Sequence, residues 1–114
     1  MRRNYMLYLN DIQRAINNIN EYRANLSFDE LIQDNMRIDA IIRNLEIIGE
    51  AANRIPQEIK NKYSTVEWRK IINFRNILAH EYFGVDYEIL WQIITEKLPE
   101  LLGDIKTIID NEKI

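Results

Sequence analysis

Apolar residues recur along this chain at alternating spacings of three and four, and that rhythm constrains the fold more than any other feature. Tyr5, Leu9, Ile12, Ile16, Ile19, Tyr22 and Leu26 form the first series. Successive residues of a helix are rotated by about 100°, so these side chains fall on one stripe, whereas a half-buried strand would need strict alternation. The stripe predicts a helix over about residues 3 to 25. Ser27-Phe28-Asp29-Glu30 then supplies the serine and glutamate of a capping box. A second stripe follows through Leu31, Ile38, Ile41, Ile42, Leu45, Ile48 and Ala52, with a break near Asp34-Asn35.

The second half repeats the pattern. Pro56 suits the first turn of a short helix reaching Ile59, and Ser64-Thr65-Val66-Glu67 offers another capping box before Trp68. A third long helix should begin there, and Gly84 should end it. Asp86 can cap the next helix, whose stripe is Ile89, Leu90, Ile93, Ile94 and Leu98. Pro99 should kink or restart that helix, because it lacks an amide donor and crowds the preceding turn. Four principal helices with short connections predict an all-α fold: an antiparallel four-helix bundle with an additional short helix, one domain over residues 1–114. Only three glycines and two prolines in 114 residues, with 46% hydrophobic residues, fit that expectation and exclude a disordered chain. Gly49 in mid-helix costs about 1 kcal/mol relative to alanine, so a close approach of two helices is its expected reason.

Composition also narrows function. With no cysteine there can be no disulfide framework and no thiolate metal site, and a reducing cytoplasm is the expected home. One histidine cannot supply the paired Glu-x-x-His motifs of a di-metal bundle, and His80-Glu81 does not open a His-Glu-x-x-His motif, so no metal is expected. No apolar run approaches the roughly 18 residues that span a bilayer, and no signal-peptide core follows Met1-Arg2-Arg3. The net charge of −3 argues against broad binding to nucleic acid. Between Pro56 and His80, however, five cations (Lys60, Lys62, Arg69, Lys70 and Arg75) face two carboxylates (Glu58 and Glu67), a local surplus of three. Individually Lys60, Lys62 and Lys70 also suit a solvated helix face.

That basic stretch ends in Arg75-Asn76-Ile77-Leu78-Ala79-His80-Glu81-Tyr82, which sets the single histidine between an arginine and a tyrosine. An arginine can hold a phosphate and stabilise extra negative charge on it, and an imidazole can move protons near neutral pH. Both stand among apolar neighbours, Ile71, Ile72, Phe74, Ile77 and Leu78, where burial is costly unless something satisfies them. Structural roles are open too: His80 as a helix cap, Arg75 as a bridge to Glu46 or Glu50, and Trp68, Phe74 and Trp91 as core. Residues five apart on a helix differ in direction by about 140°, so Arg75 and His80 do not easily reach one small target in one chain. Completion of the site across a two-fold axis would remove that difficulty. Asn76, one helical turn before His80, could bond the imidazole or the substrate.

In these residues the chain resembles the HEPN domains, and within them the HepT-type toxins of prokaryotic toxin-antitoxin pairs. Arg75, His80 and Tyr82 stand as the family's R-x4-H-x-Y signature. Ala40-Ile41-Ile42-Arg43-Asn44-Leu45-Glu46-Ile47-Ile48-Gly49-Glu50-Ala51 looks like its second block, and Val85-Asp86 through Trp91 and Leu98-Pro99 like its C-terminal part. The resemblance implies a homodimer with two signatures facing one another in a cleft. It implies metal-independent cleavage of RNA with no cofactor, Arg75 and His80 being catalytic and Asn76 supporting. It further implies that Tyr82 accepts AMP from a cognate minimal nucleotidyltransferase antitoxin, with which the dimer could build a larger assembly. Arg43, Asn44, Glu46 and Glu50 are expected to shape the cleft or the dimer. Two other readings fit the same chain: a non-catalytic HEPN module that binds nucleotide or docks a nucleotidyltransferase, and a helical dimerisation domain without ligand.

Overall fold

A computed structural model describes residues 2–74 and 86–113, with side chains from Tyr5 onward. Every regular element among the described residues is helical. The expected all-α class is therefore what the chain adopts. The first helix, α1, spans Arg2–Arg23 and buries Leu9, Ile12, Ile16 and Ile19 completely, the stripe read from the sequence. It stops at Ala24, whose φ of 50° is a left-handed conformation that an alanine adopts at a cost of about 1–2 kcal/mol.

Ser27 caps α2 (Phe28–Ile32) by accepting from the Glu30 amide at 3.2 Å, while the Glu30 carboxylate accepts from the Ser27 amide at 2.9 Å. The expected break falls at Asp34, which caps α3 (Asn35–Arg54) through the Arg37 amide. Arg37 also bonds Asp34 at 2.9 Å and donates to the Tyr22 carbonyl, satisfying an oxygen at the end of α1. Halfway along, Asn18 of α1 donates to Asn44 of α3. Since later residues of α1 meet earlier residues of α3, the two helices run antiparallel.

Two expected caps shift. Pro56 precedes α4 (Gln57–Lys62) as its cap instead of entering the first turn, and its carbonyl accepts from Ile59 and Lys60. The box Ser64-Thr65-Val66-Glu67 does not form. Ser64 and Thr65 belong to the turn that leaves α4, and α5 (Trp68–Ile72) starts from Glu67, whose carboxylate pairs with Lys70 at 2.8 Å. Trp68 overrides the local capping chemistry: its ring is buried and its indole donates to the Tyr63 carbonyl at 3.1 Å. α5 itself pauses after one turn at Asn73 and helix resumes at Phe74, beyond which the long helix expected from Trp68 falls outside the described residues.

Asp86 caps α6 (Tyr87–Gln92) by accepting from the Glu88 and Ile89 amides. The chain then widens into a π turn, Ile93–Lys97, before α7 (Leu98–Glu112). Pro99, in the first turn of α7, explains the widening: an ordinary helix would need its missing N–H on Thr95 and would press its ring on that carbonyl. The wider turn seats the Leu98 amide on Ile93 instead. Thus Pro99 restarts the helix without breaking it.

At the far end of α7 a glutamate collects three donors from two other helices or their ends. Tyr5 of α1 reaches Glu112 at 3.2 Å, Lys62 of α4 at 2.7 Å, and Tyr63 at 2.6 Å. The contact of Tyr5 with Glu112 sets the start of α1 against the end of α7, so this pair is antiparallel as well. α1 lies between α3 and α7, and α3 also packs on α5. The stretch of the third long helix expected to carry the signature lies outside the described residues.

Lys62 first, and then the Tyr63 hydroxyl, hold the Glu112 carboxyl below the ordinary value of 4.5. A carboxyl whose folded pKa is depressed adds stability above its unfolded value, and that gain disappears as the pH falls through the folded value. Thermal melts should therefore hold level above about pH 5 and decline below it. Glu112→Gln should lower the melting temperature by a few degrees at neutral pH and flatten part of the acid decline. An unchanged acid profile would assign that decline to other carboxylates.

Candidate functional site

The signature residues Arg75, Asn76, His80 and Tyr82 lie outside the described residues, as does any bridge from Arg75 to Glu46 or Glu50. Both ends of that segment are anchored. Upstream, Trp68, Ile71 and Phe74 are buried. Downstream, Asp86 and α6 lead to Trp91, which is half-buried under the Arg23 guanidinium at 4.7 Å and edge-on to Phe28 at 5.7 Å. Arg23 over an aromatic face is a cation-π contact, which holds the end of α1 to α6. Trp91 thus packs against the core from its margin, while Trp68 and Phe74 are part of it.

The second sequence block divides by face. Arg43 is exposed and sits 3.8 Å from Glu46 one turn on, a loose surface pair. Glu50 is exposed beside Tyr8, Asp11, Ile47 and Arg54 around a shallow depression between α1 and α3. Gly49 is buried on the helix face toward the core. Asn44 differs from the other polar residues of the block. It is buried, donates to the Ala40 carbonyl at 2.9 Å and accepts from Asn18 at 3.2 Å. This link was not legible in the sequence, because nothing in the pattern of α1 distinguishes Asn18 from its neighbours Asn17 and Asn20.

A groove of about 280 Å³ opens between α5, α6 and the start of α7. Ile71, Phe74, Ile93 and Leu101 line it, and Glu67, Lys70, Lys97, Glu100 and Asp104 surround it. Lys97, Glu100, Leu101 and Asp104 share one stripe of the last helix at spacings of three and four. Lys70 above all, with a smaller pull from Lys97, holds the Glu67 carboxyl below its ordinary range. Burial and then the charge of Glu100 push Asp104 up. Among the described residues no group of His, Cys, Asp and Glu could hold a metal ion, and no helix is long and apolar enough to cross a membrane.

The family model described as ribonuclease HepT-like matches residues 12–108, from the middle of α1 to the last turns of α7. The chain belongs to this family. Within the matched span of this HepT-like chain lie both sequence blocks and every residue of the groove. Among its relatives is "Putative RNase TTE0752" of Caldanaerobacter subterraneus subsp. tengcongensis, 40% identical over 106 residues, which cover 93% of this chain and 95% of the relative. "Probable ribonuclease HepT" of Thermococcus cleftensis is 40% identical over 103 residues, 90% of this chain and 94% of the relative. "Putative RNase MJ1380" of Methanocaldococcus jannaschii is 36% identical over 107 residues, 94% and 98% of the two chains. No solved structure gives a significant match.

For a HepT-like chain the buried Asn44 offers a test of framework against chemistry. Asn44→Ala leaves Asn18 without its acceptor and opens space between α1 and α3, which should cost about 1–3 kcal/mol. Urea unfolding measures this. A loss below about 0.5 kcal/mol would mean that water replaces the amide without penalty.

Proposed function

We propose that the protein is the toxin of a toxin-antitoxin pair, a metal-independent ribonuclease that works as a homodimer. The observation that carries the reading is the R-x4-H-x-Y spacing of Arg75, His80 and Tyr82, in a chain of the HepT-like ribonuclease family whose only histidine stands within it. The ribose 2′-hydroxyl attacks the neighbouring phosphorus, and a 2′,3′-cyclic phosphate and a free 5′-hydroxyl result. His80 takes and returns protons, and Arg75 stabilises the charge that builds on the phosphorane. Two protomers facing one another supply two imidazoles, one as base and one as acid, which removes the angular difficulty of a single helix. Asn76 supports His80 or the RNA.

Tyr82 is the regulatory residue of this reading. Transfer of AMP from ATP to its hydroxyl by a minimal nucleotidyltransferase, the antitoxin, with pyrophosphate leaving, places bulk and negative charge two residues from His80 and excludes the RNA phosphate. Arg43, Glu46 and Glu50, on the outer face of α3, then serve the dimer or the antitoxin assembly, and Asn44 serves the framework. The whole chain acts as one domain.

The test is cleavage of total RNA by the purified protein in excess EDTA, with the mass of the protein checked for AMP adducts. Products ending in 2′,3′-cyclic phosphate, with a matched DNA left intact, are expected. Products with 3′-hydroxyl ends, or activity that EDTA abolishes, would overturn the mechanism. Unadducted protein that leaves RNA intact would overturn the nuclease itself.

A further inference from the structure

We propose that the groove between α5, α6 and α7 is a base-binding subsite that takes one unstacked RNA base bearing an exocyclic amino group. The assignment rests on the nuclease reading in one respect, the presence of an RNA phosphate at Arg75. Asn73 and Phe74, which line the groove, precede Arg75 directly in the chain. That adjacency in the chain is the link between the groove and an RNA phosphate bound by Arg75.

Size and lining favour a single planar base. At about 280 Å³ the groove is at the small end of ligand pockets, which run from about 300 to 1,000 Å³. Its lining of Ile71, Phe74, Ile93 and Leu101 suits the face of a base, which packs on apolar and aromatic side chains once unstacked. The charges exclude the sugar-phosphate backbone as occupant. Among the described residues three carboxylates surround the groove against two lysines, and Lys70 is already paired with Glu67 at 2.8 Å. A row of phosphates would meet net repulsion.

The same charges choose among the bases. Glu100 and Asp104 have no ion-pair partner among the described residues, and Asp104 is half-buried. An ionised carboxylate only accepts hydrogen bonds. Adenine, cytosine and guanine present amino donors on their edges, whereas uracil presents one ring N–H between two carbonyl oxygens that a carboxylate repels. The groove should therefore discriminate against uracil.

The experiment uses short 2′-fluoro RNA oligonucleotides, which lack the attacking hydroxyl and cannot be cleaved by the proposed route. Binding is followed through the methyl resonances of Ile71, Ile93 and Leu101. An adenine-containing probe is expected to shift these methyls and to bind about 5- to 100-fold more tightly than its uracil counterpart, the range of a good carboxylate-to-amino contact. Asp104→Asn, which keeps the shape and adds a donor, should reduce or reverse that preference while methyls remote from the groove keep their positions in the free protein. Methyls that do not move, or a preference that Asp104→Asn leaves intact, would overturn the subsite. Because the probes are inert, the outcome is independent of catalysis: shifts from a protein that cuts no RNA would preserve the subsite and remove the nuclease, and cleavage without groove shifts would do the reverse.

Discussion

His80→Ala should lower the rate of RNA cleavage by about 10²- to 10⁴-fold, the contribution of a positioned general acid or base. In a dimer whose two imidazoles act on one phosphate, the substitution removes both, so the loss belongs at the upper end. Arg75→Ala should cost about 10²- to 10³-fold, as when one donor to a developing oxyanion is removed. Arg75→Lys should recover only part of this, because an ammonium keeps the charge and loses the two-pronged geometry of a guanidinium. The pH profile separates chemistry from folding. A wild-type rate that depends on a group titrating near neutrality, and a His80→Ala residual rate that does not, assigns the proton transfer to this imidazole. Equal rates for wild type and His80→Ala on the same RNA would sink the mechanism. Thermal melts of the two proteins, expected to agree within a few degrees, keep a misfolded variant from being mistaken for an inactive one.

The largest effect on stability is expected at Leu98. Its side chain is fully buried where the π turn gives way to α7, a position where the helix has already departed from regular geometry to accommodate Pro99. Leu98→Ala removes buried methyl groups and leaves a cavity that the restarted helix cannot easily collapse, so a loss of about 3–5 kcal/mol is expected. For a domain of this size that corresponds to a melting temperature lower by roughly 4 to 8 °C for each kcal/mol. Leu7→Ala is the comparison, because Leu7 is 60% exposed and its truncation should change stability by less than about 0.5 kcal/mol. Equal losses at the two positions, measured by urea unfolding, would mean that burial at Leu98 contributes nothing beyond what an exposed leucine does.

The stripe of α1, the capping box at Ser27, the break at Asp34 and the cap at Asp86 could all be read from residue order. Each depends on interactions within one turn, which sequence spacing specifies. The Ser64 box failed because a local motif competed with a distant partner: burial of Trp68 and its bond to Tyr63 set where α5 begins. Pro99 announced a disturbance, but that the helix would continue through a π turn depended on keeping Ile93, Ile94 and Leu98 buried together. In the second block the sequence grouped Arg43, Asn44, Glu46 and Glu50, and the fold separates them into one buried framework amide and three outer-face charges.

The Glu112 cluster and the groove had no signal at all in the sequence. Tyr5 and Glu112 are 107 residues apart, and Glu67 and Asp104 stand on helices whose individual stripes say nothing about which edges will face each other. By itself the sequence determined the helical class, most of the helix ends and the candidate chemistry of Arg75 and His80, because periodicity, capping and side-chain acidity are local properties; the role proposed for Tyr82 came from the family resemblance. Tertiary structure alone decided that Asn44 would be satisfied by Asn18, that Glu112 would join the two ends of the described chain, and that a groove with mixed charge would open between α5, α6 and α7. Those outcomes depend on which helix faces meet, and that is settled by the packing of the whole core.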